Sequence, residues 1–315
     1  MPRSYLVTGG AGFIGSHLTD ALLANGHRVV ALDNFVSGKR ENITQVRGDL
    51  TVIEGDVRLI GGFADEIPEV DAILHLAALI SGYDSLETPE DYVDVNLGGL
   101  LRVIEFASER RVPRIVFASS STVYGNQGAS ALNETTPPDP LTVYALTKLT
   151  GEHLLKLYGA MRGFSHCSLR LFNVYGPRQA PDHPYANVTC KFSHATANGL
   201  PVTLFGDGEQ SRDFVYVDDV VRAFLAVLDG SREAIYNVGT GQGARIKDLI
   251  AALGAISGRP LEVERQPPWP NDIRSIRADT ARFTGEFGFH PEVALSDGLA
   301  RTVDFFREQS ALVDD

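Results

Sequence analysis

The chain is short of cysteine, of long apolar runs and of positive charge, and each shortage removes a class of function. Of 315 residues only Cys167 and Cys190 are cysteines, and there is no C-x-x-C pair. Neither a disulfide framework nor a zinc site is indicated, and no metal is expected. Lys and Arg number 28 against 40 Asp and Glu, which leaves a formal net charge of −12. A phosphate polyanion or an anionic bilayer is repelled on average by such a surface, so neither a nucleic acid nor a membrane is an expected partner. A local basic site for a small phosphate ligand is still allowed. The most apolar stretch, AILHLAALI, falls well short of the ~20 residues that a membrane-spanning helix needs and contains a histidine. MPRSYLVTGG enters a strand pattern with no charged, apolar, small-residue leader. These features predict a soluble protein of the reducing cytoplasm.

What is present is alternation. Short β-branched runs (SYLVTG, RVVALD, TVIEGD, DAILHLA, RIVFASS, CSLRLFNVYG) are separated by helical patterns: one from about Phe13, one through NLGGLLRVIEFASER, one around Tyr144. This βαβα order predicts an α/β fold with a doubly wound parallel sheet, whose ligand sites gather at the carboxyl ends of the strands. From Gly176 the chain is richer in proline and irregular segments, with helices expected at about Val188 to Asn198, Asp218 to Asp229 and Ile246 to Ser257. That half reads as a smaller mixed α/β lid, and YNVG near Tyr236 as one more strand returning to the large sheet.

TGGAGFIG places Gly9, Gly12 and Gly15 in a G-x-x-G-x-x-G frame between a strand and a helix. Such glycines permit a tight turn and a close backbone approach to a pyrophosphate seated on the helix N-terminus. A glycine-rich turn that binds nothing has the same appearance, so the second strand matters. RVVALD ends in Asp33, where an acid accepts from both hydroxyls of an adenosine ribose and repels a 2′-phosphate, which favours NAD over NADP although Lys39 and Arg40 follow. Asp56 and Val57, at the end of the third strand, are placed to reach the adenine.

Tyr144 and Lys148 lie one helical turn apart in YALTK. A buried ammonium near a phenol favours the phenolate, and so turns a group of pKa ~10 into a base able to take a proton from a sugar hydroxyl. An amphipathic helix with a buried ring and a snorkelling lysine gives the same spacing by chance. Ser119, Ser120, Ser121 and Thr122 end the strand RIVFASS and bring hydroxyls to the same rim, where one can bond a reacting oxygen while others cap backbone groups.

The motifs TGGAGFIGSH, LDN, GDV, HLAA, Val95-Asn96, SSSTVYG, YALTK, RLFNVYGPRQ, GDGEQSRDFVYVDDVV, YNVGTG and ADTARFTGEFGFHP together resemble the extended short-chain dehydrogenase/reductase family. Within it the likeness is to the nucleotide-sugar epimerase and dehydratase branch, most of all to UDP-sugar 4-epimerases. The resemblance implies a Rossmann-type sheet over about 1–175 plus 212–240, and a nucleotide-sugar-binding domain over about 176–211 plus 241–315. It implies a tightly held NAD that is reduced and reoxidised within one cycle, and a homodimer built on helices near Asn96 to Arg110 and Tyr144 to Met161. By position, Tyr144 resembles the base, Lys148 its partner at the nicotinamide ribose, and Ser120 the residue bonding the 4-oxygen of the sugar. The cofactor set resembles Gly9, Gly12, Phe13, Ile14, Gly15, Asp33, Asn34, Asp56, Val57, Leu76, Ala77, Ala78, Asn96 and Phe172, with Tyr144 and Lys148. Asn173 resembles a diphosphate ligand, Arg212 its charged clamp, Asp272 a ribose ligand and Asn187 a main-chain or amide contact. Val188, Leu204, Ser121 and Thr122 complete the substrate set.

The branch turns on Ser121-Thr122. Dehydratases carry Asp-Glu there, and decarboxylating relatives usually an acid at the second position, whereas a hydroxyl pair matches the epimerases. Trp269 replaces an arginine of many relatives, which shifts anionic recognition toward Arg212 or Arg274, and Ile80 stands where some epimerases have lysine or glutamine. Ile276 occupies the gate near the C2 substituent of the sugar and leaves the glucose, N-acetylglucosamine and glucuronate series all open. The expectation is an NAD-dependent nucleotide-sugar 4-epimerase working through a transient 4-keto sugar. The alternatives are a dehydratase or other reaction of that keto sugar, and a regulator that binds NAD without chemistry.

Overall fold

The computed structural model describes residues 1–44, 47–181, 186–230, 233–268 and 273–311. Its contacts divide the chain into two compact units. The first holds 1–123, 137–171 and 221–236, and the second holds 124–136, 172–220 and 237–315.

The first unit is built on a seven-stranded sheet: β1 (Ser4–Thr8), β2 (Arg28–Asp33), β3 (Leu50–Glu54), β4 (Ala72–His75), β5 (Arg114–Ser120), β6 (Ser165–Leu171) and β7 (Ala234–Val238). Their order is β7-β6-β5-β4-β1-β2-β3, and the ladders from β3 to β6 are parallel. β1 and β5 are buried along their whole length, as strands covered on both faces must be. The YNVG strand takes the edge beside β6. Chain order reverses between β1 and β4, and such a switch point is where sheets of this kind take a ligand, outside the carboxyl ends of the strands.

Helix Phe13–Ala24 buries Leu18, Leu22 and Leu23 and packs on β2. Helix Gly99–Glu109 buries Leu100, Val103, Ile104 and Ala107, the i, i+3, i+4, i+7 stripe of an amphipathic helix. That stripe joins Leu6, Leu32, Ile73 and Ile115 of the sheet in one core. The sequence pattern predicts an ordinary helix through NLGG. In the structure Val93–Gly98 is instead a π-helical turn ahead of Gly99–Glu109, and it carries Asn96 inward. Helix Val143–Arg162 starts at Thr142, whose hydroxyl accepts from the Ala145 N–H at 3.2 Å. It stops at Gly163, whose φ of 78° is the left-handed conformation that suits glycine.

The second unit is a set of short ladders and helices. Asn173–Tyr175 runs parallel to Phe214–Tyr216, and Val202–Phe205 parallel to Val263–Gln266. Ser211–Arg212 lies between Ala244–Arg245 and Ser275–Ile276. Helices Val188–Asn198 and Leu295–Ala311 pack together, with the His194 and Phe306 rings 5.3 Å apart, edge to face. Helix Val217–Ala226 replaces the expected 218 to 229: past Ala226 the Val227 and Leu228 N–H groups turn back to the Phe224 and Leu225 carbonyls, which ends the α-helical ladder in a tighter turn.

Candidate active site

The glycine frame forms the tight strand-to-helix turn that its spacing predicts. Gly9 has φ +72°, and a Cβ on it would sit 2.8 Å from the Ala77 nitrogen. A Cβ on Gly15 would overlap the Gly9 carbonyl oxygen, so the first turn of helix Phe13–Ala24 reaches this closely to β1 only without a side chain. Gly12 caps that helix with no side-chain oxygen, which leaves its positive end to an anion rather than to a capping group. Phe13 and Ile14, half-buried, follow in the first turn.

Asp33 ends β2 buried, its carboxylate accepting from the Ala11 N–H at 2.9 Å and the Phe35 N–H at 2.8 Å. The two cations downstream are engaged elsewhere: Arg40 pairs with Glu54 and stacks 4.2 Å over the Phe35 ring, and Lys39 faces Glu41. An acid so held, with its neighbouring cations turned to other acids, fits a ribose diol and disfavours a 2′-phosphate. Asn34 is exposed and accepts from the Val36 N–H. Asp56 is more occupied than its motif implies. Its carboxylate accepts from the Arg58 N–H and Nε, both at 2.9 Å, and from a second guanidinium nitrogen at 2.7 Å. These bonds hold its carboxyl below the usual range, and Val57 is buried beside it.

The half-buried Leu76, Ala77 and Ala78 follow β4. Asn96 ties this segment to the neighbouring helix: its amide accepts from the Leu79 N–H at 2.8 Å and donates to the Leu79 carbonyl and to the Thr147 hydroxyl, both at 3.0 Å. The residues present therefore fit NAD, and Gly9, Gly12, Gly15, Asp33 and the 76–78 segment would hold it.

Tyr144 and Lys148 sit on one stripe of helix Val143–Arg162. The Ser120 hydroxyl at the end of β5 pulls the pKa of the phenol down, but burial outweighs it and pushes that pKa up to about 12. Lys148 is 4% exposed, and burial lowers its pKa to about 7. Its Nζ donates to the Ala118 carbonyl at 2.8 Å and lies 5.8 Å from the centre of the Tyr144 ring. Spacing alone assigns the lysine the main hand in lowering the phenol. In the structure desolvation dominates both groups, because each is drawn into the same low-dielectric rim.

Ser120 accepts from the Thr122 N–H at 3.2 Å and from its hydroxyl at 2.9 Å. Ser121 is buried. Ser119 turns the other way, donating to Glu152 at 2.5 Å. Glu152 and Arg170 form a buried pair at 2.6 Å, and His75 shares a 2.7 Å hydrogen bond with Thr8 at the switch point. Burial and then the Lys148 charge depress the His75 pKa to about 3, so its ring is neutral at physiological pH. Glu152 lies in none of the motifs, and although Thr8, His75 and Arg170 each stand in one, nothing in those motifs pairs them: only the packing of distant segments brings each to its partner.

In the second unit Phe172 is buried, 6.4 Å from the Tyr124 ring. Asn173 donates its N–H to the Asp213 carbonyl. Arg212 donates to the Ser211 carbonyl at 2.9 Å and the Ile273 carbonyl at 2.6 Å. Asn187 caps helix Val188–Asn198: its side-chain oxygen accepts from the Thr189 N–H and its amide nitrogen donates to the Val174 carbonyl. Val188 is half-buried, and Leu204 and Ile276 are buried. Asp272 and Trp269 lie outside the described residues. Arg274, the alternative clamp, pairs with Asp207 at 2.9 Å.

A family model described as the NAD dependent epimerase/dehydratase family matches residues 5–239. A UDP-glucose 4-epimerase of Mycolicibacterium smegmatis is 40% identical over 97% of this chain and 99% of that protein. Among solved structures, the UDP-glucose 4-epimerase of Thermus thermophilus in complex with NAD is 39% identical with a TM-score of 0.89, covering 96% of this chain and 99% of that one. The UDP-glucuronic acid 4-epimerase of Bacillus cereus in complex with UDP-glucuronic acid and NAD is 32% identical with a TM-score of 0.89, covering 97% and 99%. The cradle at Gly9 to Gly15, the acid ending β2 and the tyrosine-lysine stripe agree with these likenesses along nearly the whole chain: it belongs to the NAD-dependent epimerase/dehydratase family.

Proposed function

We propose that the chain is an NAD-dependent UDP-sugar 4-epimerase. One observation carries the reading: the Tyr144 phenol is set close enough to the Ser120 hydroxyl at the end of β5 for that hydroxyl to favour its ionised form, while Ser121 and Thr122 fill the positions where elimination needs an acid and a base. NAD supplies the acceptor and donor for hydride at C4 of the sugar. Tyr144 takes the proton of the 4-hydroxyl and, once the keto sugar has turned its other face toward the cofactor, returns it to the 4-oxygen. Ser120 holds that oxygen by hydrogen bonding, and Lys148 supplies positive charge beside the phenol. The named relatives that act on UDP-glucose and UDP-glucuronic acid support a UDP-sugar substrate for this chain as well.

The first unit is assigned to the cofactor and the second to the nucleotide sugar, with Asn173, Asn187, Val188, Leu204, Arg212 and Asp272 as its contacts. Exposed Leu101, Leu146, Leu157 and Met161 on helices Gly99–Glu109 and Val143–Arg162 support a homodimer through that face, to be checked by light scattering. Among the described residues no helix is long and apolar enough to cross a membrane, and a cytoplasmic site of action is proposed. The deciding experiment incubates purified protein separately with UDP-glucose, UDP-N-acetylglucosamine and UDP-glucuronate deuterated at C4, followed by proton NMR. The C4 epimer should form with deuterium retained at C4 and no added dinucleotide. A stable 4-keto-6-deoxy product would favour the dehydratase reading, and bound NAD without reaction across the panel would favour the regulator.

A further inference from the structure

Asp213 follows Arg212 in the second unit and is 0% exposed. Its Oδ1 accepts from the Thr240 N–H at 2.8 Å and the Thr240 hydroxyl at 2.6 Å. Its Oδ2 accepts from the Gly241 N–H at 2.9 Å and the Ala278 N–H at 3.0 Å. The backbone of the same residue donates to the Ile276 carbonyl at 3.1 Å and accepts from the Asn173 N–H at 3.0 Å. Around the carboxylate the chain is closely wrapped, since a Cβ on Gly239 would come within 2.9 Å of Oδ2. A buried carboxylate is costly to desolvate, and here burial raises the pKa against the pull of its donors.

Three of the segments that meet on Asp213 carry residues assigned to the nucleotide sugar: Asn173, Arg212 and Ile276. We propose that Asp213 is the positioning residue of the nucleotide-sugar pocket: its peptide bonds the segments of Asn173 and Ile276 on either side of Arg212, and its carboxylate pins Thr240, Gly241 and Ala278, of which Ala278 lies two residues past Ile276. The inference rests on the epimerase reading above. Only an acceptor on both oxygens satisfies the cluster. An asparagine in its place offers one acceptor oxygen and turns an NH2 group toward N–H donors, so the segments must separate.

The test compares wild type with Asp213→Asn, Thr240→Val and Thr240→Ser. UDP is the probe in calorimetry, with KM and kcat for the epimerised sugar, NAD content and thermal midpoint measured alongside. Asp213→Asn should weaken UDP binding and raise KM by about 10- to 100-fold while kcat stays within about threefold and NAD content is unchanged. Thr240→Val should act in the same direction by about 3- to 10-fold, and Thr240→Ser, which keeps the hydroxyl, should bind UDP like wild type. A lowered thermal midpoint with unchanged UDP affinity overturns the inference, as does a fall in kcat with KM retained. If Asp213→Asn does not fold, unchanged UDP affinity in Thr240→Val overturns it equally. A wild type that fails to bind UDP overturns the substrate reading itself and is seen before any variant is made.

Discussion

Replacing Lys148 by methionine should make the protein more stable and less active at once. The lysine is 4% exposed, and its pKa falls from 10.5 to about 7 on folding, with burial as the cause. Between those two values the unfolded chain binds more protons than the folded one, so stability rises with pH across this window. Above about pH 10.5 both states are neutral and the penalty is absent. It grows as pH falls and is complete below about pH 7, where it is on the order of 5 kcal/mol at ~1.4 kcal/mol per unit. Methionine preserves the stem volume and removes the charge, but it strips the Ala118 carbonyl of its 2.8 Å donor, a loss of about 1–3 kcal/mol. A net gain of about 2–4 kcal/mol remains near pH 7, equivalent to a rise of about 3–6 °C in thermal midpoint for a chain of 315 residues. The assay is thermal unfolding, between pH 6 and 10, of protein stripped of dinucleotide, because bound ligand stabilises by mass action. The gain should be largest near pH 6–7 and shrink toward pH 10, while turnover of the reloaded variant collapses. A variant that melts below wild type at pH 7, or whose advantage is independent of pH, would refute the desolvation argument.

Tyr144→Phe should retain NAD and lose about 10²- to 10⁴-fold in turnover. Its melting temperature should fall only slightly, because Ser120 keeps its two bonds from Thr122, and near wild-type turnover would remove Tyr144 from the chemistry. Stripped wild type should be reactivated much better by NAD than by NADP, and Asp33→Ala should narrow that gap. Equal rescue of the wild type by both would show that Lys39 or Arg40 governs the choice. Gly15→Ala forces the helix away from the Gly9 carbonyl, so the purified variant should carry little or no dinucleotide by absorbance of the released cofactor. Full occupancy would show that the cradle is not where the cofactor binds.

The parts of this molecule that are legible in its sequence are those whose physics is local. Gly9, Gly12 and Gly15 announce a turn that side chains cannot make, Tyr144 and Lys148 share a helical face by spacing alone, and the βαβ alternation specifies a parallel sheet. Asp213 carries no such signal, because its four donors come from residues 240, 241 and 278, which no window of the sequence joins. Glu152 and Arg170 look like ordinary surface charges until helix Val143–Arg162 packs on β6 and sets them against each other. Asp56 shows the converse: its motif is legible, but the grip of Arg58 on its carboxylate is not. The same holds for the pKa values, since the ammonium beside the phenol is visible in the sequence and the shared desolvation is not.

The stripe formed by Tyr144, Lys148 and Glu152 also bears on how such sequences can drift. Each member meets a different residue at the end of β5: the Ser120 hydroxyl, the Ala118 carbonyl and the Ser119 hydroxyl. The two intervals of four residues act like the teeth of a key, cut to a lock three residues long. A single inserted residue between 144 and 152 would turn everything after it by about 100° and advance it by about 1.5 Å, enough to miss its tooth. Substitutions around the stripe can accumulate, but length changes within it cannot, and an insertion is harmless to the chemistry only past the last tooth, toward the turn at Gly163.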